Sequence, residues 1–241
     1  MIYIDDIVIY SKTLSDHIKH VNAILEIMRQ KNIYINREKC SIIQREIKFL
    51  GHRISREGVK ISDEKVKAMR GIKSPATKKE LHSTLGLLTW FKKFVPNYSK
   101  KTRPLWEVFK ADKFKWSEGA EKTYRGLIEE LCDAPVLKHP DMNKPFIVYT
   151  DTSKKGLGGA LMQEEGNKQR VVEYASKALV TSEKNYPITE MECLGVVWAV
   201  DKFRQYLGAL PFTIYMDHAA LITMQTHMNL TPKRARWLAY I

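Results

Sequence analysis

Between Ser62 and Cys132 the apolar residues recur every three to four positions, and outside that stretch most of the apolar runs are short and β-branched. A helical middle flanked by strand runs is an α+β pattern. Ser62 caps a helix reaching Ile72, which Ser74-Pro75 breaks. Thr77 caps the next, with Glu80 at capping-box spacing and Leu81, Leu85, Leu88 and Phe91 as its apolar stripe, and Pro96-Asn97 ends it. A third helix is expected over Pro104–Lys110 and a fourth over Ser117–Cys132. On the N-terminal side, Ile2-Tyr3-Ile4 and Ile7-Val8-Ile9-Tyr10 flank Asp5-Asp6 as a hairpin whose two-residue turn is Asp5-Asp6. A helix over Asp16–Lys31 follows, then strands at Ile33–Asn36 and Ile47–Ile54. On the C-terminal side, strands are expected at Phe146–Thr150, Leu157–Gln163, Arg170–Ala175 and Phe212–Met216, with a helix over Thr189–Leu207. The domain boundary falls near Asp141–Lys144.

The formal charge is +13, and it is unevenly spread. Residues 1–110 hold 23 Lys and Arg against 11 Asp and Glu, a net of +12, whereas residues 111–241 are almost balanced at +1. A basic half of this kind suits a polyanion such as nucleic acid; a solubilising surface would give the same count. Lys78, Lys79, Lys92, Lys93, Lys100, Lys101 and Arg103 cluster in the helical stretch. No run approaches the roughly 18 apolar residues of a membrane span, and the acidic N-terminus is unlike a secretory signal. Cys40, Cys132 and Cys193 are too far apart for a zinc site or a disulfide framework. Together these features predict an intracellular protein, cytoplasmic or nuclear, that is not secreted and has no membrane partner.

Two sets of acids could carry chemistry. Asp5-Asp6 is a poor pair for a tight hairpin turn, and adjacent carboxylates between apolar strands repel unless a hard cation lies between them. An isolated Asp-Asp is nevertheless more often a solvated turn. Asp151 and Asp217 each end an apolar strand run, and Glu192 lies on the helix between them. Three acids on rigid elements could converge on two magnesium ions and activate a water toward a phosphate. Each also has a structural alternative. Thr189-x-x-Glu192 has capping-box spacing, Glu190 is a rival, and Asp151 and Asp217 fit turn or cap positions. Against capping, Glu192 lines up with Val196, Ala199 and Phe203. His218 beside Asp217 reads first as structural, and Trp90, Trp198 and Trp237 read as packing residues.

Tyr3-Ile4-Asp5-Asp6 resembles the Y-x-D-D box of reverse transcriptases, and Phe49-Leu50-Gly51-His52-Arg53-Ile54-Ser55 is similar to a segment following it in Gypsy-type LTR retrotransposons. Glu80–Leu87 and Phe94–Ser99 resemble that family's thumb motifs, Ala134–Leu137 its connecting segment, and Thr150–Ser153 and Thr189–Phe203 its RNase H domain. The match runs in order along essentially the whole chain. It implies the end of a reverse-transcriptase palm over 1–61, a helical thumb over 62–110, a connection over 111–144 and an incomplete RNase H-like mixed α/β domain over 145–241. It implies Asp5 and Asp6 as polymerase metal ligands, and Asp151, Glu192 and Asp217 as nuclease metal ligands, selecting Glu192 over Glu190. Phe49, Leu50, Gly51 and His52 would position a primer end, and the seven basic residues would grip a duplex. Mg2+, with Mn2+ as a substitute, is the implied cofactor. RNA–DNA hybrid or template–primer duplex is the implied partner, with deoxynucleotide triphosphates as substrates and protease and integrase as neighbouring segments. In the family, a further palm aspartate precedes Y-x-D-D and a fourth nuclease acid follows Asp217. The resemblance therefore predicts a truncated RNA-directed DNA polymerase and ribonuclease H with impaired activity, the alternative being an inactive relic that binds duplex through its basic thumb.

Overall fold

The computed structural model describes residues 1–208 and 211–216. Two compact units divide the chain, Met1–Ile47 and the segment from Lys48 onward.

In the first unit, strands β1 (Ile2–Tyr3) and β2 (Asp6–Ile7) pair antiparallel, Tyr3 opposite Asp6. The two-residue turn is therefore Ile4-Asp5, one residue earlier than expected, and Asp6 belongs to the second strand. Helix α1 (Leu14–Gln30) starts at Thr13, whose hydroxyl accepts from the Asp16 N–H at 3.1 Å. The strand expected at Ile33–Asn36 does not form, and Asn36 instead caps a single 3-10 turn, Arg37–Lys39. A β-rich run needs a neighbouring ladder to become a strand, and no described residues supply one there.

The second unit contains two sheets and five helices among its described residues. The run read as one strand over Ile47–Ile54 is folded back on itself as β3 (Glu46–Phe49) and β4 (His52–Ser55), because Leu50 and Gly51 both adopt positive φ. With β5 (Gly58–Ile61) they form a sheet in the order β3-β4-β5. Helices α2 (Asp63–Arg70), α3 (Lys78–Trp90), α4 (Tyr98–Lys110) and α5 (Glu118–Cys132) pack around one core, including Met69, Leu81, Leu85, Leu88, Leu105, Tyr124 and Leu131. Ser62, Thr77 and Ser117 cap three of these helices through their hydroxyls, as their positions predict.

One expected helix boundary shifts. Helix α4 starts at Tyr98, not Pro104, because Tyr98, Thr102 and Leu105 form a buried face that carries the helix through the proline. The hairpin β4–β5 and helix α5 pack with the other helices: Ile61 and Leu137 share the helical core, and Val59 and Leu137 exchange backbone bonds of 2.8 and 2.9 Å.

The last sheet has the order β8-β7-β6-β9. Strands β6 (Phe146–Ser153), β7 (Gly156–Glu165) and β8 (Lys168–Ala178) form an antiparallel meander, and β9 (Phe212–Tyr215) runs parallel to β6. Helix α6 (Ile188–Leu207) lies on one face, its Val196, Ala199, Val200 and Phe203 packed with Phe146, Val148, Leu161 and Val172. Buried Gln163 fixes the boundary segment: it accepts from the Asp141 N–H at 2.9 Å and donates to the carbonyls of Asp141 and Lys144 at 2.8 and 3.1 Å.

Candidate metal centre and nucleic-acid interface

Asp151 does not end its strand. Pairing of Asp151, Thr152 and Ser153 with Gly158, Leu157 and Gly156 extends β6 past it. Alternation along the strand turns Phe146, Val148, Thr150 and Thr152 toward α6 and Asp151 to the opposite face. On that face Asn97 donates its amide N–H to Asp151 Oδ2 at 2.9 Å. Asn97 precedes α4 in the left-handed region, φ 53° and ψ 33°, a conformation asparagine tolerates better than most residues. Gly158, opposite Asp151 on β7, makes room for it: a Cβ there would overlap the Asn97 carboxamide oxygen.

Glu192 reaches the same part of β6 from the other side. Pro187 caps α6, so Thr189 is already inside the helix and the capping-box alternative is not realised. Glu192 Oε1 instead accepts from the Thr152 hydroxyl. Gly195, nearly one turn on, allows this approach, since a Cβ there would overlap the Thr152 methyl. Sequence places Asn97 at a helix end and in a thumb-like motif, and Thr152 in the Thr150–Ser153 motif, but gives neither of them, nor Gly195, a role beside the acids. Asp151 and Glu192 thus flank β6 one residue apart, from its two faces. Among the described residues neither forms an ion pair with a Lys or Arg, although the chain has 40 of them. Each also keeps one oxygen outside the hydrogen bond just described. Such oxygens are donors suited to a hard divalent cation. Asp217 and His218 lie outside the described residues, as does Trp237, and no cluster of three metal-ligating side chains occurs among those described.

Asp5, in the turn, and Asp6, at the start of β2, are both exposed. Ile4 has φ 50°, a region that β-branched residues rarely occupy, so the turn holds local strain beside the two carboxylates.

At the β3–β4 turn, Phe49 and His52 point inward and Leu50-Gly51 forms the tip. The His52 ring packs 5.4 Å from Phe91 and 5.7 Å from Phe94 and donates through Nδ1 to the Leu50 carbonyl at 3.0 Å. Burial, and then the positive charge of Lys93, lowers its pKa to about 4. Trp90, expected as a core or packing residue, is 47% exposed; its ring lies 6.5 Å from that of His52, and its indole N–H donates to the same carbonyl at 3.1 Å. The seven basic residues differ in availability. Lys79, Lys92 and Lys100 are exposed and have no acidic partner among the described residues. Lys101 pairs with Glu130 and Arg103 with Glu107, Lys78 donates to the Asp112 carbonyl at 3.3 Å, and Lys93 lies half-buried over the Phe94 ring.

Residues 141–241 match the family model of the RNase H-like domain found in reverse transcriptase, and residues 1–54 match that of reverse transcriptase (RNA-dependent DNA polymerase). The retrovirus-related Pol polyproteins of the Drosophila melanogaster transposons opus and gypsy are each 30% identical to this chain over its whole length. Along its whole length the chain is therefore similar to retrotransposon Pol polyproteins, and its two ends match the reverse transcriptase and RNase H-like family models. It spans 25% and 24% of those two relatives, and 18% of the Tf2-3 polyprotein of Schizosaccharomyces pombe, to which it is 32% identical over 99% of its length. Reverse transcriptases and their RNase H domains generally depend on divalent metal. Among solved structures, the foamy viral protease-reverse transcriptase in complex with RNA/DNA hybrid matches all of this chain and 34% of its own, with a TM-score of 0.80 and 25% identity. Its complex with double-stranded DNA, in the form designated dRH, matches all of this chain and 44% of its own at 0.82 and 25%.

Proposed function

We propose that this chain is the reverse transcriptase and RNase H part of a retrotransposon Pol protein, which hydrolyses the RNA of RNA–DNA hybrids through its C-terminal domain and grips template–primer duplex with its basic helical segment. The observation that carries the nuclease reading is the match of residues 141–241 to the RNase H-like domain of reverse transcriptase, within which Asp151 on β6 and Glu192 on α6 stand at neighbouring positions along that strand. Asp151, Glu192 and Asp217 would hold divalent cations, Mg2+ with Mn2+ as substitute. Bound there, the cation supplies Lewis acidity toward the RNA phosphate and an activated water. Thr152 orients Glu192 by its hydroxyl, and the close α6–β6 packing at Gly195 fixes the height at which that carboxylate stands.

In the same reading, Asp5 and Asp6 serve nucleotidyl transfer from deoxynucleotide triphosphates, and the Leu50-Gly51 tip with Trp90 meets the primer end. An intracellular site of action, cytoplasmic or nuclear, accompanies this role. Among the described residues no helix is long and apolar enough to cross a membrane.

Cleavage of a labelled RNA–DNA hybrid in Mg2+ and in Mn2+ tests the assignment. Asp151→Asn and Glu192→Gln are each expected to lower the rate at least 100-fold while leaving hybrid binding within about twofold, since electrostatic groups in such sites contribute about 3 kcal/mol or more. Cleavage unchanged by Asp151→Asn would remove it from the site. Binding without cleavage by the parent chain would favour the second reading, a duplex-binding relic, for which the exposed Lys79, Lys92 and Lys100 are the supporting observation.

A further inference from the structure

Asn97 lies 54 residues before Asp151, in the connection between two thumb helices, yet its carboxamide is hydrogen-bonded to that carboxylate. Three independent features fix the contact. The left-handed backbone at Asn97 aims the side chain. Gly158 leaves the space that the carboxamide fills. Two residues after it, Ser99 ties the start of α4 to β8: its N–H donates to Ser176 Oγ at 2.8 Å, and Ser176 Oγ donates to Ser99 Oγ at 3.0 Å. Asp151 is itself exposed, and without a partner its carboxylate would sample several rotamers.

We propose that Asn97 is a positioning residue for the candidate nuclease centre: its amide holds Asp151 Oδ2 so that Oδ1 is presented to a divalent cation, making the docking of α4 on the RNase H-like sheet a condition for full metal affinity. This rests on the reading of Asp151 as a metal ligand. Ligating carboxylates are commonly oriented by a hydrogen-bond donor behind them, and loss of such a donor weakens metal binding about 10- to 100-fold. The arrangement also joins the helical segment to Asp151 by a direct hydrogen bond, beside the Ser99–Ser176 contact with β8.

The test is Mn2+ affinity of the whole chain, by calorimetry and without nucleic acid, for the parent, Asn97→Gly, Gly158→Ala, the double variant and Asp151→Asn. Glycine at position 97 keeps the left-handed backbone and removes only the donor. The methyl group that Gly158→Ala adds leaves the Asn97 backbone in place but evicts its carboxamide. Each single variant is expected to bind Mn2+ about 10-fold more weakly at the Asp151-dependent site. The double variant should lose no more than either single one, because the added methyl then has nothing to displace. Thermal midpoints without metal separate this from a folding defect, which would add across the two sites. Unchanged affinity in both single variants overturns the positioning role, as does tighter binding, which would mean that the amide competes with the cation. No Asp151-dependent binding in the parent overturns the metal reading together with it.

Discussion

Protonating His52 would place a second N–H on a ring whose Nε2 is buried without a partner among the described residues. Burial and the nearby Lys93 therefore hold its pKa at about 4 against an ordinary 6.5, and the folded state keeps the ring neutral. The unfolded chain binds this proton more readily, so the stabilising contribution is complete above pH 6.5 and is lost as pH falls toward 4. Between pH 7 and pH 5 the loss attributable to His52 is on the order of 2 kcal/mol. His52→Gln should lower stability at pH 7 yet show a flatter dependence down to pH 5, measured as urea midpoints. Equal slopes for parent and variant would show that the ring is not the group responsible. The motif F-L-G-H is readable in the sequence as a nucleic-acid-facing segment, but the burial of its histidine is not. That depends on Phe91 and Phe94, about 40 residues further along, closing over the ring.

At the level of elements, α5 is tied to the loop before α3 by a network around Glu121. Its carboxylate accepts from Ser74 Oγ and Trp116 Nε1, both at 2.7 Å, while Arg125 donates to Glu121, to the Ile72 carbonyl and to Ser74. The hydrogen bonds from Ser74, Arg125 and Trp116 lower the Glu121 pKa to about 2. This depressed carboxylate stabilises the fold above its ordinary pKa of 4.5, and that contribution is lost as pH falls through about 2. Glu121→Gln is expected to cost about 1 kcal/mol at neutral pH, at the low end for charged hydrogen bonds because a third of the side chain meets solvent. Chemical denaturation checks it, and a parent-like midpoint would show that the network adds nothing. The helices themselves were largely legible, because Ser62, Thr77 and Ser117 are local signals that act within their own turn. The start of α4 was not, since Pro104 reads locally as a helix beginner and only the buried Tyr98 and Thr102 extend the helix back beyond it. Asp151 likewise read as the end of a strand until three pairs with β7 carried β6 past it.

Across the whole chain, the +12 of residues 1–110 is visible by counting, but a count assigns no charge to a phosphate. Folding spends part of the excess internally: Lys101 meets Glu130 from a helix 29 residues away, Arg103 meets Glu107, and Lys93 is half-buried. Lys79, Lys92 and Lys100 keep their charge in solvent. Each lysine that neutralises a phosphate releases condensed counterions and steepens the fall of log K with log salt by about 0.9. If all three meet a duplex backbone, replacing them together with alanine should make that slope shallower by about 2.7, with similar losses on unrelated sequences because phosphate contacts carry no base information. A matched variant, Lys101→Ala with Arg103→Ala, should change the slope by less than about 1, since those charges are already answered within the protein. Binding of one duplex and one hybrid, measured by anisotropy from about 50 to 200 mM salt, distinguishes the two sets. If the triple variant keeps the parent slope, the interface lies elsewhere on the basic half. If both variants lose slope equally, the intramolecular pairs open on binding, and the count of charges, not their placement, governs affinity.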